Sequence, residues 1–347
     1  MFRRLNRTGS VSIGITLRRI AVAGFLLCAT DYAQAAPIRF SLPVRCIVGS
    51  SCFIQNYFDH DATAGYQDYY CGHLTYDGHT GTDFRLRDLA AMRTKVAVLA
   101  AAPGTVVGVR NTEPDISVKK RGKAALNGKD AGNGVRIDHG DGWATQYSHL
   151  LQGSVRVQAG QQVARGDLLG FVGLSGNTEF PHLDFSVSKA GKAVDPFNPE
   201  GAACGANPPT LWLPSDLPAL HYQDTGVLIA GFSTTTPERD QAEDGRYAHT
   251  AIPDTAEMIF FWAELFGVRK NDRITTVLYG PDLRQLLIHE ELVTGNKAIV
   301  FSTVGRRRGV TSWPKGVYSA VVRLLRDGKI HIVERRDVNV GTETIVQ

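Results

Sequence analysis

From Val96 to Val172 the sequence never sustains a helical period. Short β-branched runs alternate with Gly-centred breaks. Val96–Leu99 and Thr105–Arg110 flank Pro103-Gly104, and Gly134–Asp138 and Trp143–Tyr147 flank His139-Gly140-Asp141-Gly142, which reads as a hairpin turn containing His139. Ala159-Gly160 and Arg165-Gly166 cut the stretch from Val155 to Val172 into further strands. Such punctuation leaves room for strands of ordinary length but not for helices of ten residues or more. Asn207-Pro208-Pro209 then reads as a linker. Beyond it, apolar runs at Gly226–Phe232, Ala256–Phe266, Ile274–Leu278, Ala298–Ser302, Val317–Leu325 and Lys329–Val340 suggest a small β-sandwich. The expected fold class is therefore all-β, in two parts.

The N-terminus reads as a leader. Five arginines within residues 1–35 stand against Asp31 alone, and an apolar run from Ile20 to Ala29 precedes Ala33-Gln34-Ala35. This is the pattern of a secretory signal peptide cleaved after Ala35, with an apolar run too short to cross a bilayer. Cys28 follows Leu27 rather than a small residue, which suits a lipoprotein site poorly. Without the leader, 33 basic and 33 acidic residues remain. The net charge of +4 thus belongs to the leader and gives no reason to expect nucleic acid or an anionic membrane as partner. The leader implies an exported location, periplasmic or secreted. Cys46, Cys52, Cys71 and Cys204 are then expected as two disulfides, with the pairing open among three connectivities. Residues 36–72 read as an irregular, disulfide-tied arm, 73–205 as the first folded domain and 210–347 as the second.

The chemistry-bearing residues lie in three short stretches. His79-Thr80-Gly81-Thr82-Asp83 places an imidazole and a carboxylate four residues apart in a loop-like setting, and both are competent zinc ligands. In Trp143–His149, strand alternation puts Tyr147 and His149 on one face. In His182–Val187 it puts His182, Asp184 and Ser186 on one face and Leu183, Phe185 and Val187 on the other, facing a core. His182 and Asp184 then project together, ~6.6–7 Å apart along the strand. Catalytic zinc typically takes three protein ligands and leaves a position open. His79, Asp83 and Asp184 supply three ligands, leaving His149 and His182 for hydrogen bonding and proton transfer. His60 between two aspartates reads as a solvated turn, His221, His249, His289 and His331 as structural, and Arg306–Arg308 as a solvated loop. Residues 112–132, with Lys119, Lys120, Arg121 and Lys123, form a long surface loop that is either a groove wall or a solvated insertion.

With those stretches in view, residues 73–197 resemble the lysostaphin- and LytM-type zinc metalloendopeptidases. The likeness rests on His79-Thr80-Gly81-Thr82-Asp83, Gly132-Asn133-Gly134-Val135, Tyr147-Ser148-His149-Leu150, Val157–Val163, Gly173-Leu174-Ser175-Gly176 and Pro181-His182-Leu183-Asp184-Phe185, in that order. It implies a cleft floored by an antiparallel sheet, one zinc ion, and hydrolysis of amide bonds in peptidoglycan stem peptides or cross-bridges, with His149 and His182 as general base and oxyanion stabiliser. One position departs from the pattern: family members usually carry His-x-His, and Asp184 stands where the second His ligates zinc. Asp Oδ lies as many bonds from Cβ as His Nδ1, so it can replace an Nδ1 ligand with little movement. A second carboxylate also weakens the preference for zinc over harder divalent metals.

Two other readings stay open. One is a catalytically silent LytM-like module that binds cell wall and activates an amidase. The other gives residues 210–347 a cell-wall or protein ligand of their own. Peptidoglycan peptides are the expected partner, and no stretch after the leader is apolar enough to span a membrane.

Overall fold

A computed structural model describes residues 37–341 except 207, 249 and 250, together with 9, 10, 12 and 14. The leader reading over 1–35, including Cys28 and the cleavage position, lies outside the described residues, as do Asn207 and His249. Met1–Pro37 forms one unit and Ile38–Gln347 another, and every strand belongs to the second. No helix among the described residues is long and apolar enough to cross a membrane.

The all-β expectation holds. The central feature is an eight-stranded sheet in the order Cys52–Asn56, Gly81–Leu86, His182–Lys189, Trp143–Leu150, Asn133–Gly140, Gly104–Arg110, Gln162–Val163, with Lys192–Val194 paired onto His182–Lys189. Every neighbouring pair is antiparallel. Alternation sorts its residues as expected of a half-buried sheet. Phe84, Leu183, Phe185, Val187, Tyr147, Val135 and Ile137 enter one core. Trp212, fully buried, closes that core from behind, 5.6 Å from the Phe185 ring and 5.4 Å from the Phe197 ring. The segment just past the Pro208-Pro209 linker therefore packs back on the first sheet.

The arm is less irregular than its sequence suggests. Cys52–Asn56 pairs with Gly81–Leu86 and forms the edge of the main sheet. Its five residues are too few to show a period, and it ends in the polar pair Gln55-Asn56. Disulfides Cys46–Cys52 and Cys71–Cys204 settle the pairing, the second tying the arm to residues 133 positions later. Between Val155 and Val172 the strands are short, Gln162–Val163 and Leu168–Phe171. The insertion at 112–132 is anchored rather than freely solvated. Leu126 is buried, and buried Glu113 accepts from Arg121 at 2.9 Å and from Lys129 at 2.7 Å.

From Gly226 onward two further sheets share a core. One joins Gly226–Ser233, Met258–Val268 and Lys297–Arg307; the other joins Ala251–Ile252, Lys329–Val340, Gly316–Arg326, Arg273–Tyr279 and Gln285–Leu292. Ile259, Phe261, Leu265 and Val304 from the first meet Ile274, Leu278, Val322 and Leu324 from the second. Gln285–Leu292 is an exposed edge strand in which a short apolar run, Leu286-Leu287-Ile288, gives way to His289-Glu290-Glu291, and exposed edges favour charge.

Candidate metal centre

The face of the main sheet opposite the core carries a line of polar residues. Asp83 lies directly across from Asp184, and Asp184 across from Ser148, on three adjacent strands. Cross-strand partners of this kind hold side chains about 4.5–5.5 Å apart at Cβ. His79, four residues before Asp83, enters from the turn that leads into its strand. Ligand atoms of His79, Asp83 and Asp184 lie within 4.8 Å of one another. This is the trio expected from the sequence: register brings Asp83 and Asp184 together, and the turn before Gly81 adds His79.

A cation fits the donor set on two observations. First, two carboxylates face each other across a strand pair, with Asp83 buried and Asp184 half-buried. Like charges directly opposite destabilise a sheet unless something lies between them. Burial and the neighbouring Asp83 push the Asp184 carboxyl up to about 6. Second, a Cβ on Gly81 would fall 1.9 Å from Asp184 Oδ1. Only glycine leaves the space in which that oxygen sits, so the Gly in His79-Thr80-Gly81 serves the carboxylate opposite. Ser186 Oγ donates to the same oxygen at 3.1 Å.

The three histidines share one arrangement. His79 Nδ1 donates to the Tyr57 carbonyl at 2.8 Å, His149 Nδ1 to the Ser175 carbonyl at 2.7 Å, and His182 Nδ1 to the Phe180 carbonyl at 3.0 Å. A carbonyl only accepts, so each Nδ1 carries a proton and Nε2 is left as the ring atom that can accept a metal. His79 Nε2 lies 3.2 Å and His182 Nε2 3.5 Å from Asp83 Oδ1. The His149 and His182 rings stand 4.6 Å apart. Metal-binding histidines are commonly fixed by such a second bond. Asn56 Nδ2 holds the other oxygen of Asp83 at 2.7 Å.

His149 reaches this cluster by a route that simple alternation does not give. Tyr147 turns into the core, where its hydroxyl accepts from Ala101 N at 2.8 Å. Strict alternation would send His149 the same way. Instead the register slips between Asn133 and Val135, and His149 adopts a left-handed φ of 63°. That uncommon conformation for a residue with a side chain swings the imidazole onto the polar face. The sequence expectation that Tyr147 and His149 share a face is thus corrected, while the placement of His149 beside His182 stands.

The electrostatics of the group are uneven. Burial opposes charge on His79, but Asp83 raises it to about 9. Burial alone would raise Asp83; His79 and His182 hold it well below the usual carboxylate range. Burial, with His182 close by, pushes His149 down to about 3, which keeps it neutral.

The other histidines lie elsewhere. His60 is not a solvated turn residue: its Nε2 meets Asp195 at 2.8 Å, with the ring half-buried. His139 sits at the end of Asn133–Gly140, between the Pro103 carbonyl and Thr145. His73 packs against Tyr66. Nothing in the sequence signals Asn56 or the carbonyls of Tyr57 and Ser175 as site components. Ser186 shares the face of His182 and Asp184 by alternation, and Gly81 lies inside the His79–Asp83 stretch, where a sequence reader could ask why a glycine is needed.

This geometry agrees with the family comparison. Residues 77–196 match the model of peptidase family M23. That stretch is similar to the M23 peptidases. Over 117 residues it is 32% identical to peptidoglycan DD-endopeptidase ShyA of Vibrio cholerae, a match covering 34% of this chain and 22% of that protein. Over 71 residues it is 41% identical to cell division protein DipM of Caulobacter vibrioides, covering 19% of this chain and 11% of DipM. The chain thus spans less than a quarter of the length of these relatives. A crystal structure of a zinc-containing peptidase from Vibrio cholerae is 27% identical, with a TM-score of 0.27 over 41% of this chain and 39% of that one. His79, Asp83, His149, His182 and Asp184 all fall inside the M23 match, and the sheets from Gly226 onward fall outside it.

Proposed function

We propose that this chain is an exported, zinc-dependent endopeptidase that hydrolyses amide bonds in peptidoglycan stem peptides or cross-bridges. The observation that carries the reading is the convergence of His79, Asp83 and Asp184 within 4.8 Å, beside two further imidazoles, on the polar face of an M23 sheet. The name of the ShyA relative supports the substrate class. The leader pattern and the two disulfides support export.

His79 Nε2, Asp83 and Asp184 would hold a divalent metal, which would supply Lewis acidity toward a scissile carbonyl and lower the pKa of water. Two carboxylates neutralise a dication, so this set also admits metals harder than zinc. The protein's own part is positioning and proton handling. His149 and His182 present Nε2 to the same space with orientation fixed by backbone carbonyls, and divide the roles of general base and oxyanion stabiliser. Ser186 Oγ bonds Asp184, and Gly81 across from it leaves room for the carboxylate. The two sheets beyond Gly226 bring a cell-wall or protein ligand to this domain.

Digestion of purified peptidoglycan by the mature protein tests the reading. Mass spectrometry is expected to show fragments released by amide cleavage. Release should stop after chelation and return on adding zinc. Equal release before and after chelation would contradict it, as would no release from protein carrying stoichiometric metal.

A further inference from the structure

Arg85 follows Asp83 by two residues on Gly81–Leu86 and lies directly across from His182. It is 1% exposed, an unusual place for a guanidinium. Its partners come from far along the chain. Nη1 donates to Gln55 at 2.6 Å, and Nη2 faces Glu243 at 3.3 Å and Glu264 at 3.5 Å. Arg239 completes the group, bonding Glu243 and Glu264 at 2.9 Å each. Glu264, fully buried, belongs to Met258–Val268, and Glu243 to the short helix Arg239–Glu243, so the cluster ties the sheets beyond Gly226 to the M23 domain.

The guanidinium also has a second neighbour. Its Cζ lies 4.3 Å over the Phe180 ring, and that ring stands 4.9 Å from the imidazole of His182. His182 Nδ1 has two acceptors at 3.0 Å, the Phe180 carbonyl and Thr178 Oγ1, and Thr178 Oγ1 in turn donates to that carbonyl at 2.8 Å. A cation over an aromatic face is attractive, more so when desolvated. Arg85 thus pins the residue whose ring and carbonyl together fix the plane and tautomer of His182.

We propose that Arg85 is a positioning residue for His182, acting through Phe180, and that Glu264 and Glu243 hold Arg85 for this task. The sheets beyond Gly226 are then a structural part of the active centre rather than only an appended binding module. The turnover arm of the test rests on the peptidase reading above; the spectroscopic arm does not.

The experiment uses the full chain loaded with zinc, as wild type, Phe180→Leu, Arg85→Met and Arg85→Lys. Phe180→Leu removes the ring and leaves every buried charge paired, so it decides the matter if Arg85→Met does not fold. Imidazole NMR reads the His182 Nδ1 proton, expected to exchange slowly in the wild type and quickly in Phe180→Leu and Arg85→Met. Assays on peptidoglycan fragments are expected to show kcat lowered on the order of 10–100-fold, as for a misplaced catalytic group, with KM and zinc content unchanged. Arg85→Lys should recover part of the loss. An unchanged His182 proton in Phe180→Leu overturns the proposal, as does a loss of kcat that tracks loss of zinc. A wild type that cuts no peptidoglycan would defeat the peptidase reading, and the imidazole signal would still decide this one.

Discussion

Asp83 and Arg85 sit two residues apart on one strand and anchor two buried ionic clusters of opposite character. Around Arg85, two arginines meet two glutamates and the charges cancel. Around Asp83, two carboxylates face each other across a strand pair, with imidazoles whose Nδ1 atoms are already committed to carbonyls. The first cluster balances two guanidiniums against two carboxylates, with Arg85 Nε and Glu264 Oε2 left without a hydrogen-bond partner. The second balances its carboxylates with imidazoles, which can release a proton and accept a metal where guanidiniums cannot. Burial of charge is thus no sign of function in itself; what separates the two is whether the positive partner can give way to a metal.

The sharpest way to break this contrast is to remove one partner from each cluster. Glu264→Ala leaves Arg85 and Arg239 with one buried counter-charge fewer, and should cost about 3–5 kcal/mol of unfolding free energy by chemical denaturation. His79→Ala, in chelated protein, should cost less, because Asp83 keeps His182 and Asn56 as partners. Equal costs would erase the distinction between the two clusters.

A smaller effect is expected from filling the space over Gly81. Gly81→Ala places a methyl 1.9 Å from Asp184 Oδ1, so the carboxylate must move. Zinc affinity by competition titration should drop about 10–100-fold, as for loss of a supporting contact, with the sheet intact by circular dichroism. Unchanged affinity would mean that Asp184 does not hold metal from its present position.

The last effect is electrostatic. In chelated protein, burial and Asp83 raise Asp184 to about 6, against an ordinary carboxylate value of about 4. A raised carboxyl binds its proton more tightly when folded. Its contribution is therefore fully present below pH ~4 and is lost as pH rises through about 6. Asp184→Asn cannot ionise, so it should be more stable than the wild type by about 2–3 kcal/mol at pH 7.5. That difference should vanish below pH 4; a difference of opposite sign would show that the two carboxylates do not repel.

The sheet and most of the site are legible in the sequence because both rest on local rules. Period-2 alternation sorts Leu183, Phe185 and Val187 from His182, Asp184 and Ser186, and register does the rest. Legibility fails where a position depends on distant chain or on an exception. His149 reaches the site through a register slip and a positive φ that no periodicity announces. Cys52–Asn56 is a strand because Gly81–Leu86 offers it an edge, and Cys71 finds Cys204 across 133 residues. Arg85 looks like an ordinary polar position in the sequence, since Glu264 lies 179 residues away. The strand Gln285–Leu292 escapes a reading of apolar runs because its own run, Leu286-Leu287-Ile288, is only three residues long and ends in His289-Glu290-Glu291.

The central claim is that His79, Asp83 and Asp184 together hold one divalent metal. Metal analysis of purified wild type, Asp184→Ala, His149→Ala and His182→Ala tests it most directly. Wild type, His149→Ala and His182→Ala should carry about one zinc per chain, in keeping with a three-ligand site, and Asp184→Ala should carry essentially none. Stoichiometric metal in Asp184→Ala would contradict the account, because His60 is committed to Asp195 and His73 lies against Tyr66, leaving neither to complete the set.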